Sequence, residues 1–218
     1  MKREFRMFYG AEIRAKKTDG RATGIEGYAA MFNKLSLPLA GFRERIMPGT
    51  FDNVLKSGAD VRALFNHDPN LILGRTKSKT LRLATDSQGL HFDCDMPDTQ
   101  AARDLMTSME RGDVDGCSFG FAATKQKWNE EPDPDDPQGN KIIVRELHSL
   151  DLFDVSPVTY PAYPHTECDT RSLFPDGIPE EVRAHVKEFD RRKSPRPNPA
   201  EAADELERMH MRLRLSAL

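Results

Sequence analysis

The feature that most constrains the fold is the alternation of apolar and polar residues in two short segments, 80–84 and 90–94. They flank Asp86-Ser87-Gln88-Gly89, and alternation on both sides of a tight turn is typical of a β-hairpin with one packed face. Strand-like runs recur at residues 24–31, 61–65, 118–128 and 141–158. The sequence therefore predicts a fold made mainly of strands.

Two helices are predicted among these strands. The longer one follows a cap at Asp98 or Thr99 and ends at Gly112. Its apolar stripe consists of Ala102, Leu105, Met106 and Met109. The shorter helix is capped by Thr50 and ends near Gly58.

The composition excludes several classes of protein. A chain of 218 residues has room for one domain of about 150 residues and its tails. A net charge of −3 gives no reason to expect nucleic acid as a partner. No apolar run reaches the roughly 18 residues of a membrane span, and the first residues lack the apolar stretch of a signal peptide, so a cytoplasmic protein is expected. The spacing of Cys94, Cys117 and Cys168 indicates neither disulfides nor a zinc site.

Changes of composition along the chain suggest three regions. Residues 1–23 form an N-terminal arm with a first strand, and residues 24–170 form the main domain. Residues 171–218 are predicted to be a mobile basic and proline-rich linker followed by an amphipathic C-terminal helix.

Two residues at the ends of apolar runs, His67 and Ser118, suggest a serine hydrolase. A serine hydroxyl needs a neighbouring base to accept its proton, and an imidazole suits that role near neutral pH. No metal or cofactor motif accompanies them. Residues 116–120 match the letters G-x-S-x-G, but a helix precedes this serine and a strand follows it, which is the reverse of the α/β-hydrolase arrangement. The two glycines are expected to leave room for backbone N–H groups at an oxyanion.

Seven motifs in a fixed order resemble the prohead maturation proteases of tailed bacteriophages. They are GYAAMF (27–32), IMPGTF (46–51), ALFNHD (63–68), LGRT (73–76), MPDT (96–99), SFGF (118–121) and DVSPVTYPAY (154–163). The resemblance covers about residues 24–166. It identifies residues 24–170 as the prohead protease domain.

The resemblance implies an assemblin-like α+β fold, because this family is similar to the herpesvirus assemblins. Such a fold is a mostly antiparallel β-barrel flanked by a few helices. By its motifs, the resemblance makes His67 the catalytic histidine and Ser118 the nucleophile of a serine endoprotease.

The resemblance also implies a place of action and partners. The protease would act inside the viral procapsid, in the host cytoplasm, during virion assembly. There it would cut the scaffold segment or other extensions of the major capsid protein, and then itself. The capsid protein and further copies of the chain are the expected partners. No cofactor, metal, nucleic acid or membrane is expected.

The third catalytic residue stays open between four candidates on the strand 141–158. Asp154 is favoured, because the resemblance leads us to expect an acid before Val-Ser. Glu146 and His148 follow, since alternation puts them on the same face as Asp154 if no bulge intervenes, and Asp151 lies on the other face. Cys117 is an alternative nucleophile. Neighbouring side chains on a strand point to opposite faces, so Cys117 and Ser118 cannot both meet His67, and the resemblance selects the serine.

Two other functions compete with the protease. The chain could be a catalytically silent structural protein associated with the capsid or its scaffold, or a cytoplasmic esterase. The pair His67 and Ser118 favours the protease over the first. No apolar acyl-binding pattern supports the second.

Overall fold

A computed structural model describes residues 2–7, 13–18, 21–36, 39, 42–135, 140–159 and 174–193. By internal contacts the chain divides into two units, Met1–Pro179 and Glu180–Leu218. The boundaries predicted at residues 23 and 170 stay predictions. The C-terminal amphipathic helix and most of the proline-rich linker fall outside the described residues.

The described part of the first unit contains ten strands and two helices. The strands are β1 (Glu4–Met7), β2 (Ile13–Thr18), β3 (Arg21–Met31), β4 (Arg43–Ile46), β5 (Arg62–Phe65), β6 (Asp68–Arg75), β7 (Leu81–Thr85), β8 (Gly89–Asp95), β9 (Gly116–Pro132) and β10 (Lys141–Val158). The helices are α1 (Asp52–Ser57) and α2 (Gln100–Arg111). In the second unit the described residues include α3 (Glu180–Lys193), which has no counterpart among the predicted elements.

The strands are arranged in two sheets. The first has six strands in the order β1-β9-β10-β5-β6, with β4 also paired to β10. The second has four strands in the order β2-β3-β8-β7. Strands β4 and β5 lie one after the other along the same edge of β10 and run parallel to it, and the other pairs are antiparallel.

The fold is mostly antiparallel β-structure with few helices, as predicted, but the described strands do not close into a barrel. A barrel requires its first and last strands to pair, whereas β1 and β6 end one sheet and β2 and β7 end the other. Alternation in the sequence indicates which face of a strand is buried. It does not indicate which edges meet, and the barrel came from the resemblance alone.

The turn residues and the capping residues correctly predicted the hairpin of β7 and β8 and helix α2. The predicted hairpin is β7 and β8, which pair antiparallel from Leu81↔Cys94 to Thr85↔Leu90. Helix α2 is capped by Thr99, whose hydroxyl accepts the Ala102 N–H, and it ends at Gly112 in the left-handed conformation. The predicted cap of α1 is wrong, because the Thr50 hydroxyl donates to backbone carbonyls instead.

One hydrophobic core joins the two sheets and both helices of the first unit. Ile25 and Phe92 come from the second sheet, Phe119 and Val155 from the first, and Leu105 from α2. Each side chain of this size contributes about 1.5–3 kcal/mol when it is fully buried. This core fixes β9 and β10, which carry the candidate site. None of the helices in the described ranges is long and apolar enough to cross a membrane.

Candidate active site

His67 lies in the two-residue turn that joins β5 to β6. Asn66 and His67 both have positive φ, 52° and 57°, as the central residues of the favoured two-residue hairpin turn do. For residues other than glycine this conformation costs about 1 kcal/mol each, although asparagine and histidine adopt it more readily than most. Asp68 pairs with Phe65 on the far side of this turn and begins β6.

Hydrogen bonds from Asn66 hold this turn against the end of β10. The Asn66 N–H donates to the Pro157 carbonyl over 3.0 Å. The Asn66 side-chain amide donates to Thr159 Oγ1 over 3.0 Å and accepts the Thr159 N–H over 2.9 Å. The strained backbone of His67 is therefore fixed on the strand that also carries Asp154.

His67 connects Ser118 and Asp154 in one hydrogen-bonded chain. Its Nδ1 lies 2.5 Å from Asp154 Oδ1 and its Nε2 lies 2.7 Å from Ser118 Oγ. An ionised carboxylate only accepts hydrogen bonds, so we assign the imidazole proton to Nδ1. The lone pair of Nε2 then faces the Ser118 hydroxyl, which is the arrangement needed for proton transfer from serine.

The pairing of β9 with β10 explains why these side chains share one face. Ser118 lies opposite Ser156, and Gly120 lies opposite Asp154. Residues two apart on a strand, and residues directly opposite each other, point to the same side of the sheet. The turn carrying His67 folds over this side, and Ser118 and Asp154 are both buried beneath it.

Gly120 leaves the space that the Asp154 carboxylate occupies. A Cβ atom at Gly120 would lie 2.3 Å from Asp154 Oδ2 and 2.9 Å from Phe5 Cε1. At Gly116 it would lie 2.0 Å from Met7 Cε. The room that these glycines were expected to leave for an oxyanion is thus filled by neighbouring side chains.

Two further groups form hydrogen bonds with the chain of Ser118, His67 and Asp154. The hydroxyl of Ser156, which is fully buried, donates to Asp154 Oδ1 over 2.7 Å. Ser118 Oγ also lies 3.0 Å from the Arg6 carbonyl oxygen. The single Ser118 proton therefore has two acceptors, the Arg6 carbonyl and His67 Nε2.

The other candidates for the third residue do not meet His67. Glu146 pairs with Arg45 at 3.5 Å and with His148 at 3.3 Å, and Asp151 is exposed. Glu146 precedes Asp154 by eight positions, roughly 26 Å along an extended strand. β10 has register shifts between residues 147 and 149, 149 and 150, and 152 and 154, so simple alternation does not hold along it.

Cys117 lies in the hydrophobic core on the opposite side of β9. Its thiol is fully buried, and this burial raises its pKa to about 12. At neutral pH the thiol is therefore protonated and far less nucleophilic than a thiolate. The geometry at His67 supports the serine rather than this cysteine.

Sequence reasoning missed Ser156 and strand β1 at this site. Ser156 had a detectable signal, because it follows Asp154 by two positions and so points to the same face. A first strand was predicted within residues 1–23, but nothing local indicated that it lies at this site, because its pairing Met7↔Ser118 joins residues far apart in the chain.

Comparison with known proteins identifies the family. Residues 10–175 match the caudovirus prohead serine proteases, which is well over half of the chain, and the chain belongs to this family. All three residues of the hydrogen-bonded chain lie within the matched range.

A relative comes from Enterobacteria phage HK97. Its prohead protease is 33% identical over 147 residues, which are 66% of this chain and 58% of that protein. The match thus spans less than two thirds of the length of this relative. No solved structure matches the chain significantly.

Proposed function

We propose that this protein is a serine endoprotease in which Ser118 is the nucleophile, His67 the general base and then acid, and Asp154 the residue that orients His67. One observation carries the proposal. Ser118 Oγ, the His67 imidazole and the Asp154 carboxylate form a continuous chain with distances of 2.7 and 2.5 Å. Membership of the serine protease family adds support.

The proposed reaction follows from the assignment of the imidazole proton to His67 Nδ1, which leaves Nε2 free to accept the Ser118 proton. Ser118 Oγ attacks the peptide carbonyl carbon while its proton moves to His67 Nε2. The imidazolium then gives this proton to the leaving amine, and water hydrolyses the acyl-enzyme by the same path in reverse. Asp154 keeps the imidazole in the Nδ1–H tautomer and stabilises the imidazolium. General acid–base catalysis of this kind accelerates reactions by about 10²–10⁴-fold.

The proposed substrates are parts of the procapsid. The scaffold segment or other extensions of the major capsid protein, and the protease itself, would be cut inside the particle in the host cytoplasm. The matched family is named for the prohead, and this name supports the capsid protein as partner. The HK97 relative bears the name prohead protease.

Coexpression of the chain with the capsid protein of the same phage tests the proposal. Mass spectrometry of assembled particles should find cleaved capsid protein with the wild type. Ser118→Ala and His67→Ala should leave it uncut. Ser78→Ala and His91→Ala are the matched controls, because both residues lie outside the hydrogen-bonded chain, and they should cut normally.

Processing that continues in Ser118→Ala would contradict the proposal. Absence of processing with the wild type, together with incorporation of the chain into particles, would favour the catalytically silent structural protein. Mass spectrometry of the protease itself in the same samples reports self-cleavage.

A further inference from the structure

Strand β1 presents alternate residues to two different surroundings. It pairs with β9 so that Phe5 lies opposite Gly120 and Met7 opposite Ser118. Opposite residues share a face, so Phe5 and Met7 lie on the side that carries the candidate site. Glu4 and Arg6 point to the reverse side of the sheet.

On the reverse side, Glu4 and Arg6 belong to a buried charge cluster of two glutamates and two arginines. Its members are Glu4, Arg6, Glu44 and Arg145. Arg6 contacts Glu4 at 2.7 Å and Glu44 at 3.0 Å, and Arg145 contacts the same two carboxylates at 2.5 and 3.0 Å. Removing one partner would leave a buried charge unpaired, so this cluster holds β1 firmly against β9 and β10.

On the front side, the Phe5 ring stacks on the imidazole of His67. The ring centroids lie 3.9 Å apart and the planes differ by 13°. The face of a phenyl ring carries negative potential, so a stacked phenyl favours a cationic imidazolium over a neutral imidazole. It also blocks rotation of the His67 ring away from Asp154 and Ser118.

We propose that Phe5 is a positioning residue of the active site. It keeps the His67 ring aligned with Ser118 and Asp154 and stabilises the protonated imidazole during the reaction. This inference rests on the proposed function. Strand β1 precedes the range 10–175 that the family matches, so this contribution comes from outside the matched region. Among the described residues, Asp154 is the charged group that pairs with His67, while the neighbouring Asp68 carboxylate accepts hydrogen bonds from Asn70.

A fluorophosphonate probe tests the inference without knowledge of the cleavage site. Ser118 Oγ would attack the phosphorus atom, fluoride would leave, and His67 would take the serine proton. The rate constant of labelling is measured against pH. Phe5→Leu should label about tenfold more slowly and show its acidic limb at lower pH, because the phenyl face no longer favours the imidazolium. Phe5→Tyr should restore both.

Tyr28→Leu is the matched control, because Tyr28 contacts His91 edge-on in the second sheet. It removes an aromatic contact with a histidine that lies outside the site. Its labelling rate should equal that of the wild type. Thermal melting of all variants reports whether they are folded, and Phe5→Met replaces Phe5→Leu if the latter is unfolded.

NMR spectra of the protein with ¹³C-labelled histidine separate this inference from the proposed function. Phe5→Leu should remove the upfield ring-current shift that the stacked phenyl ring causes at the His67 ring protons, whether or not the protein cleaves peptides. Failure of the wild type to label at Ser118 would contradict the proposed function. A folded Phe5→Leu with unchanged chemical shifts of the His67 ring protons and an unchanged labelling rate would overturn the role of Phe5.

Discussion

Gly120→Ala would displace the Asp154 carboxylate without changing any residue of the hydrogen-bonded chain. The added Cβ would lie 2.3 Å from Asp154 Oδ2, whereas ordinary contact begins at 3.4 Å. The carboxylate must therefore retreat by about 1 Å, because the backbone of β9 is fixed between β1 and β10. Gly120 does not have positive φ, so alanine introduces no backbone strain.

The expected effect on activity follows from the contact between Asp154 and His67. Their hydrogen bond is 2.5 Å long, and a shift of about 1 Å at a reacting site costs about 100-fold in rate. Overpacking a buried site also costs about 1–3 kcal/mol of stability. The test must therefore separate loss of activity from loss of stability.

Gly74→Ala provides the matched control for this separation. A Cβ at Gly74 would lie 2.5 Å from Cys94 Sγ, in a contact between the two sheets. Both variants should lose similar free energy of unfolding in urea. Fluorophosphonate labelling should slow about 100-fold in Gly120→Ala alone. Equal labelling rates for the two folded variants would refute the dependence of the site on the position of the Asp154 carboxylate.

Three further predictions concern other parts of the molecule. Asp154→Asn should slow labelling of Ser118 about 10³-fold with little change in melting temperature, because the asparagine amide no longer enforces the Nδ1–H tautomer; a rate near wild type would contradict its role. Cys117→Ala should keep the labelling rate within about twofold while losing about 1 kcal/mol of stability. Loss of labelling in this variant would indicate that the Cys117 thiol is the nucleophile. Burial favours a raised pKa for Glu4, but the hydrogen bond from Arg145 and the charges of Arg6 and Arg145 outweigh burial and lower it below 4.5. Urea unfolding should therefore show that the contribution of Glu4 to stability is complete above pH 4.5 and is lost as the pH falls through the pKa of Glu4 in the folded protein. The free energy of unfolding should fall less with pH in Glu4→Gln. An equal fall in both proteins would contradict this role of Glu4.

The elements that the sequence predicted well are those fixed by neighbouring residues. The hairpin of β7 and β8 depends on local alternation and a turn, and α2 depends on Thr99 and Gly112. The prediction of a closed barrel failed because closure depends on pairings between distant edges. The sequence also did not predict the positive φ of His67, in a turn whose contact from Asn66 to Thr159 joins residues far apart in the chain.

The candidate site could be predicted in part. His67 and Ser118 lie at the ends of apolar runs, and the resemblance selected the same two residues. Alternation alone could not choose among Glu146, His148 and Asp154, because the bulges of β10 change which residues share a face. Phe5 could not be predicted, because β1 is held by a buried charge cluster, and arginine and glutamate side chains are almost never fully buried unless paired.

The most direct measurement is peptide mapping by mass spectrometry after the wild-type protein reacts with a fluorophosphonate. We expect a single modified peptide labelled at Ser118, no label in Ser118→Ala, and labelling slowed by several orders of magnitude in His67→Ala. Label on another residue, or labelling of Ser118 at the same rate without His67, would contradict a nucleophile activated by this histidine.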